Sequence, residues 1–160
     1  MQFEAQSATL DASMEELFRN DLVIVTREPG IIRVRRTTLP VIQTLNSGDI
    51  DALVSEFRIK VPLRERKNVG MLLDTRDAPM VLDDATMEPI RPLLNEVLMG
   101  FARHAILVKT AVGKLQATRR SREEANHRSA TVTVFDDEAA ALVFLRGEEP
   151  AAPPSRSSKR

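Results

Sequence analysis

The 160-residue sequence predicts an α/β fold: a mixed five-stranded sheet, mostly parallel after an N-terminal hairpin, with elements in the order ββαβαβαβα. Three observations carry this. Short β-branched or aliphatic runs recur at 22–28, 31–38, 69–73, 104–110 and 131–135, and the later ones are separated by stretches with helical apolar spacing. Connections of that length suit right-handed crossovers between parallel strands. The runs at 69–73 and 105–108 are continuously aliphatic, whereas 31–38 and 131–135 alternate, so the helices are expected mainly on one face.

Residues 1–20 read as a flexible leader in which Ser13 and Glu16, at capping-box spacing ahead of Leu17 and Phe18, predict a short helical turn. The single domain is expected over 21–147. LVIVTRE and IIRVRRTT, separated by Pro29 and Gly30, predict a hairpin. In its second arm Ile32 and Val34 alternate with Arg33 and Arg35, which places the guanidinium groups on an open face. Asn46, Ser47 and Asp49 offer N-caps to a helix with Ile50, Leu53, Val54 and Phe57 on one side, ended or kinked by Pro62.

The run VGMLL, 69–73, is the central strand, and it stops abruptly at Asp74, Arg76 and Asp77. Asp83 and Asp84 can cap a second helix carrying Met87, Ile90, Leu94, Val97 and Phe101, whose regular part begins near Pro89 or is distorted by Pro89 and Pro92. HAILVKT is the next strand. Residues 111–126 follow as a helix whose first half has a core-facing line of Ala111 and Leu115. TVTVF is a half-exposed strand, and Asp136 or Asp137 caps a last helix with Ala139, Leu142, Val143 and Leu145 inward and Gly147 as its stop. Residues 148–160 form a disordered tail by composition.

Composition narrows the function classes. Lys and Arg number 23 against 23 Asp and Glu, so no global field favours nucleic acid or an anionic membrane. Neither Trp nor Tyr is present to stack bases, which argues against a nucleic-acid partner. The absence of cysteine removes thiolate chemistry and fits a reducing, cytoplasmic setting. No stretch approaches the roughly 18 apolar residues of a membrane span.

The element order, together with GMLLDTRDAP, FARHAILVKT and VFDDEAAALVFL, resembles the STAS superfamily over residues 22–146, in particular its bacterial SpoIIAA-like members. The resemblance implies a mixed sheet wound as a βα superhelix and a non-enzymatic regulator that binds other proteins, some relatives taking nucleotides or lipophilic ligands. The antagonists of that family carry an Asp-Ser-Ser-Gly-like phosphorylation motif where this chain has Asp83, Asp84, Ala85 and Thr86. The serine pair and the glycine are missing, and Thr86 is the one hydroxyl left for a phosphoswitch.

Other chemistries find little support. VKTAVGKLQ lacks the first glycine and the Ser/Thr of a phosphate loop. Asp74, Asp77, Asp83 and Asp84 fall at one edge as a set suited to a hard cation, and with Lys109 and Thr110 they suggest a phosphoacceptor receiver, but the acidic pair after the first strand and the lysine on the last are absent. Asp74 with Arg76 reads as a loop-stabilising charge pair. His104 and His127 have no third ligand nearby, and no serine lies in a nucleophile-elbow context. The basic set of Arg33, Arg35, Arg36, Lys114, Arg119, Arg120, Arg122 and Arg128 reads as a solvated face interrupted by Glu123 and Glu124.

The expectation is thus a non-catalytic, cytoplasmic regulatory or scaffold domain with no cofactor and no metal. It binds a protein partner through Asp74, Arg76, Asp77, Asp83, Asp84, Thr86 and Lys114, along the loop edge at 74–86 and 110–114, with the open sheet face or the hairpin edge available for homodimerisation. A small-ligand or nucleotide-binding module of the same fold is the alternative, with a phosphotransfer protein behind it.

Overall fold

The computed structural model describes residues 14–37, 46–78, 88–125 and 132–148. They form an α/β unit around a mixed sheet of six strands, in the spatial order β1-β2-β3-β4-β5-β6, which is also the chain order. The strands are β1 (Glu15–Arg19), β2 (Val23–Glu28), β3 (Ile31–Arg36), β4 (Gly70–Asp74), β5 (Arg103–Leu107) and β6 (Val132–Phe135). β1, β2 and β3 pair antiparallel, and β3 to β6 pair parallel. The hairpin turn at Pro29 and Gly30 depends on Gly30 at φ 74°, a left-handed conformation that costs glycine little.

The expected count of five strands is corrected to six. Glu15–Arg19 is a strand, not a helical turn: Glu16 pairs with Thr26 and Phe18 with Val25, and the register shift between them is a bulge at Leu17. The extra residue lets Leu17 pack on the core alongside buried Phe18. Two adjacent inward apolar residues imitate a helix in the sequence. The leader before Met14 and the tail beyond Glu148 lie outside the described residues.

Among the described residues the α-helices, which alternate with the parallel strands, are α1 (Ser47–Lys60), α2 (Leu63–Arg66), α3 (Arg91–Leu98), α4 (Ala111–Ala125) and α5 (Glu138–Leu145). α1 starts at a full capping box, the Asn46 side chain accepting from the Asp49 N–H at 2.9 Å while Asp49 accepts from the Asn46 N–H at 3.1 Å. It ends just before Pro62, as expected. A 3₁₀ turn over Glu88–Ile90 takes up Pro89 ahead of α3, and Pro92 sits in the first turn of α3, where no intrahelical N–H bond is lost.

Two apolar clusters lie on opposite sides of the sheet. Ile32, Val34, Met71 and Leu73 face Phe57 of α1 and Val97 and Leu98 of α3, with Phe18, Val25 and Phe101 completing the larger cluster. On the other face Ile31, Leu72, Ala105 and Leu107 meet Ala141 and Leu145 of α5. Gly70 lets α5 approach closely, since a Cβ there would lie 2.9 Å from the Leu145 Cβ. The sequence expectation for α5 is adjusted by one turn position: Ala141, Leu142 and Leu145 face inward, and Ala139 is exposed.

A second correction concerns α4. Its expected core-facing line is on the outside, with Ala111 exposed and Leu115 73% exposed. The half-buried side of α4 includes Gly113, Ala117 and Thr118 instead, and a Cβ on Gly113 would lie 3.7 Å from Val108 Cβ. No described helix is long and apolar enough to cross a membrane.

Candidate functional site

At the carboxyl end of β4 the main chain turns through Thr75 and is stitched to the neighbouring strand. The Thr75 N–H and its hydroxyl both donate to the Leu107 carbonyl at 2.9 Å. The end of β4 is therefore fixed beside the end of β5, from which Val108–Thr110 leads into α4. This is the edge at which open α/β sheets present ligand and partner sites.

Asp74 is 2% exposed, a carboxylate sunk at the end of a wholly buried strand. Arg76 grips it, donating from Nη2 to Oδ2 at 2.8 Å, from Nε to Oδ1 at 3.0 Å and from its main-chain N–H to Oδ1 at 3.2 Å. Arg33 adds its Nη1 at 3.5 Å from Oδ2. Burial pushes the Asp74 carboxyl up, but the Arg76 hydrogen bonds and both guanidinium charges outweigh it and hold it below the usual value. Arg76 is correspondingly raised, led by its bond to Asp74. The charge pair expected between Asp74 and Arg76 is thus present.

The network extends to the start of α5. Glu138 receives Arg33 Nη2 at 2.6 Å on one oxygen and lies 3.3 Å from Arg76 Nη1 with the other. Arg33 also contacts Glu28 of β2, Nε to Oε1 at 3.1 Å. Two guanidinium groups and three carboxylates so join β2, β3, β4 and α5. The guanidinium of Arg33 is not on a wet face as its alternation suggests; its side chain is 13% exposed because α5 brings Glu138 over it. Outside this group Arg35 forks onto Asp77 through Nε at 3.1 Å and Nη2 at 2.6 Å, an exposed pair.

Of the sequence-predicted site, the structure brings Asp74, Arg76 and Asp77 together at the end of β4. Lys114 stands on α4, 3.6 Å from Asp136 just after β6. Asp83, Asp84 and Thr86 lie outside the described residues. The helix start at Thr110 is capped from within, the Thr110 hydroxyl accepting from the Gly113 N–H at 3.0 Å.

What sequence reasoning missed at this edge is apolar. Val112 is 63% exposed and Leu115 73% exposed, at i and i+3 on α4. At 100° per residue, with Gly113 toward Val108 and Lys114 toward Asp136, both fall on the flank away from Asp136. Glu138 was also missed, since as the first residue of a helix it carried only the signal of an ordinary first-turn acid.

A second charged group was missed altogether. Arg66 of α2 is fully buried, its Nη2 donating to Glu96 Oε1 at 2.8 Å and its other nitrogens to the carbonyls of Val61, Glu96 and Met99 at 2.8 to 3.2 Å. Its guanidinium carbon stands 4.9 Å from the Phe57 ring centroid and 5.4 Å from that of Phe101. Arg58 closes the triad from outside, Nη2 to Glu96 Oε2 at 2.8 Å. At the same amino end of the sheet, the hairpin turn, Val61 and Val69 line an open cleft of about 440 Å³, whose carboxylates Glu15 and Glu65 are both held by Arg27.

Among the described residues no three metal-ligating side chains gather into one site. No family model, curated protein or solved structure matches the chain significantly.

Proposed function

We propose that this protein is a non-catalytic regulatory or scaffold domain of STAS-like type that docks a protein partner at the carboxyl edge of its sheet. The observation that carries the reading is the pair Val112 and Leu115, two large apolar side chains left in water on one flank of α4. Isolated exposed aliphatics are ordinary, but these two share one flank of the helix that follows the end of β5, with charged Lys114 between them in the chain. An apolar centre with a charged border is how interfaces are commonly built. Nearby carboxylates and guanidiniums are paired with one another, which suits docking better than proton transfer or nucleophilic attack.

We extend the proposed docking surface to Asp83, Asp84 and Thr86 on the sequence reading alone, since they lie outside the described residues. The reading is tested by comparing proteins that co-purify with the wild type and with Val112→Asp/Leu115→Asp from extracts of the native cell. The double variant is expected to lose at least one stoichiometric partner while keeping the wild-type melting temperature, because neither side chain contributes to the core. Identical partners for both proteins would overturn the proposal.

A further inference from the structure

Among the described residues six strands in chain order leave β1 and β6 as the two edges of the sheet, and the two are unlike. β1 carries Glu15, Glu16 and Arg19 and is bulged between Glu16 and Phe18. Charge and bulge are devices that keep an edge from pairing. β6 is Val132-Thr133-Val134-Phe135, with no charge and an unbroken register against β5. Among the described residues no strand pairs with its outer side.

The direction of its main-chain groups follows from one hydrogen bond. The Phe135 carbonyl accepts from the Val108 N–H at 2.9 Å, on the β5 side. By alternation the polar groups of Thr133 also face β5, and those of Val132 and Val134 face outward, with donors and acceptors ready for another strand.

We propose that the protein forms a two-fold homodimer by antiparallel pairing of β6 with β6 of a second copy, centred on Thr133. A two-fold axis normal to the sheet keeps each face on its own side, so residues directly opposite must share a face. Only pairings centred on a residue satisfy this. Centring on Thr133 sets Thr against Thr and Val132 against the partner's Val134, both favourable cross-strand pairs, and engages the outward groups of Val132 and Val134 in both copies. Centring on Val134 would put Asp136 opposite Val132 instead.

The second copy is the occupant that charge selects. With 23 basic and 23 acidic residues the chain has no net charge to drive copies apart, and β6 brings no like charges together. Pairing β6 with β1 of another copy would set Thr and Val against Glu16 and Arg19 and would not close, giving filaments. Four-residue strands bury little by themselves. The half-buried Phe135–Phe144 ring pair, centroids 5.4 Å apart on the α5 face beside this edge, adds apolar area.

Because the chain has no cysteine, Thr133→Cys introduces a single reporter. A central non-hydrogen-bonded pair has its Cα atoms about 4.5 Å apart, inside the roughly 4.4–6.8 Å range of disulfides. The wild type is expected to sediment as a dimer at tens of micromolar, and Thr133→Cys to oxidise to a covalent dimer that reductant reverses. Val132→Cys, which faces Val134 rather than itself, should cross-link far more slowly. Thr133→Glu should sediment as a monomer with an unchanged far-ultraviolet circular dichroism spectrum. A monomeric wild type, a dimer that Thr133→Cys fails to lock, or efficient cross-linking through Glu16→Cys on β1 would each overturn the proposal.

Discussion

The Arg66–Glu96 group and the Arg76–Asp74 group are built alike and placed differently. Each surrounds a nearly dry carboxylate, Glu96 at 4% exposure and Asp74 at 2%, with two arginines. In the first, Arg66 is sealed at 0% exposure between two phenylalanine rings, and three main-chain carbonyls use its remaining donors. In the second, the Arg76 side chain is 38% exposed and shares its charge with Glu138. The difference separates a lock from a rim. The first fixes α2 against the end of α3 with every guanidinium nitrogen of Arg66 used inside the protein, whereas the second lies where loops leave the sheet, with the Arg76 side chain partly open to solvent.

Arg66→Met should be the most damaging change to that contrast. It strands the inner oxygen of Glu96 and three carbonyls in a dry site, for which about 3–5 kcal/mol is expected. Chemical denaturation would measure it, and restoration of stability by adding Glu96→Leu would show that the unpaired carboxylate is the cause. Asp74→Asn should cost less, about 1–3 kcal/mol, because the amide still accepts from Arg76 while Arg33 and Arg76 retain Glu138. Should Asp74→Asn prove the worse of the two, the rim is the true lock and the comparison is reversed.

The smallest effect is a matter of pH and concerns His104 on β5. Burial lowers the pKa of its imidazole below 6.5, opposed by a ring hydrogen bond to the Leu98 main chain, and Nε2 is buried without a partner. The folded state therefore prefers the neutral ring. That contribution is fully present above about pH 6.5 and is lost as pH falls through this value toward the lower folded pKa. Glu96 and Asp74, whose pKa values are lowered, add stability that is lost only further down, as pH falls below 4.5 and 3.8. Melting temperatures between pH 7 and 5 should fall in the wild type and flatten in His104→Gln, leaving the carboxylate loss below pH 4.5 in place.

The parts legible in the sequence are those governed by neighbours along the chain. The hairpin was announced by Pro29 and Gly30, α1 by Asn46 and the spacing from Ile50 to Phe57, and the end of β4 by the change from Leu73 to Asp74. β1 was hidden because its bulge puts Leu17 and Phe18 inward together, breaking the alternation that marks a strand. The Arg66–Glu96 pair was hidden for another reason. Its members lie 30 residues apart in charged surroundings, and burial there depends on helices whose packing no local pattern states. The α4 flank misled in the opposite direction: the small residues Gly113 and Ala117, with Thr118, are on its half-buried side, and apolar Leu115 faces water.

Sequential strand order also bears on how the chain assembles. Each strand from β2 onward pairs with the one made just before it, so no step closes more than the 33 residues between β3 and β4 onto an edge already formed. The sheet can grow in the direction of synthesis, without waiting for distant segments. α5 is the exception. Ile31, near the start of that growth, remains uncovered until Ala141 and Leu145 arrive, more than a hundred residues later, to close the second face. A nascent chain stalled before α5 would therefore hold a paired sheet with one apolar face open, and would be the form most in need of a chaperone.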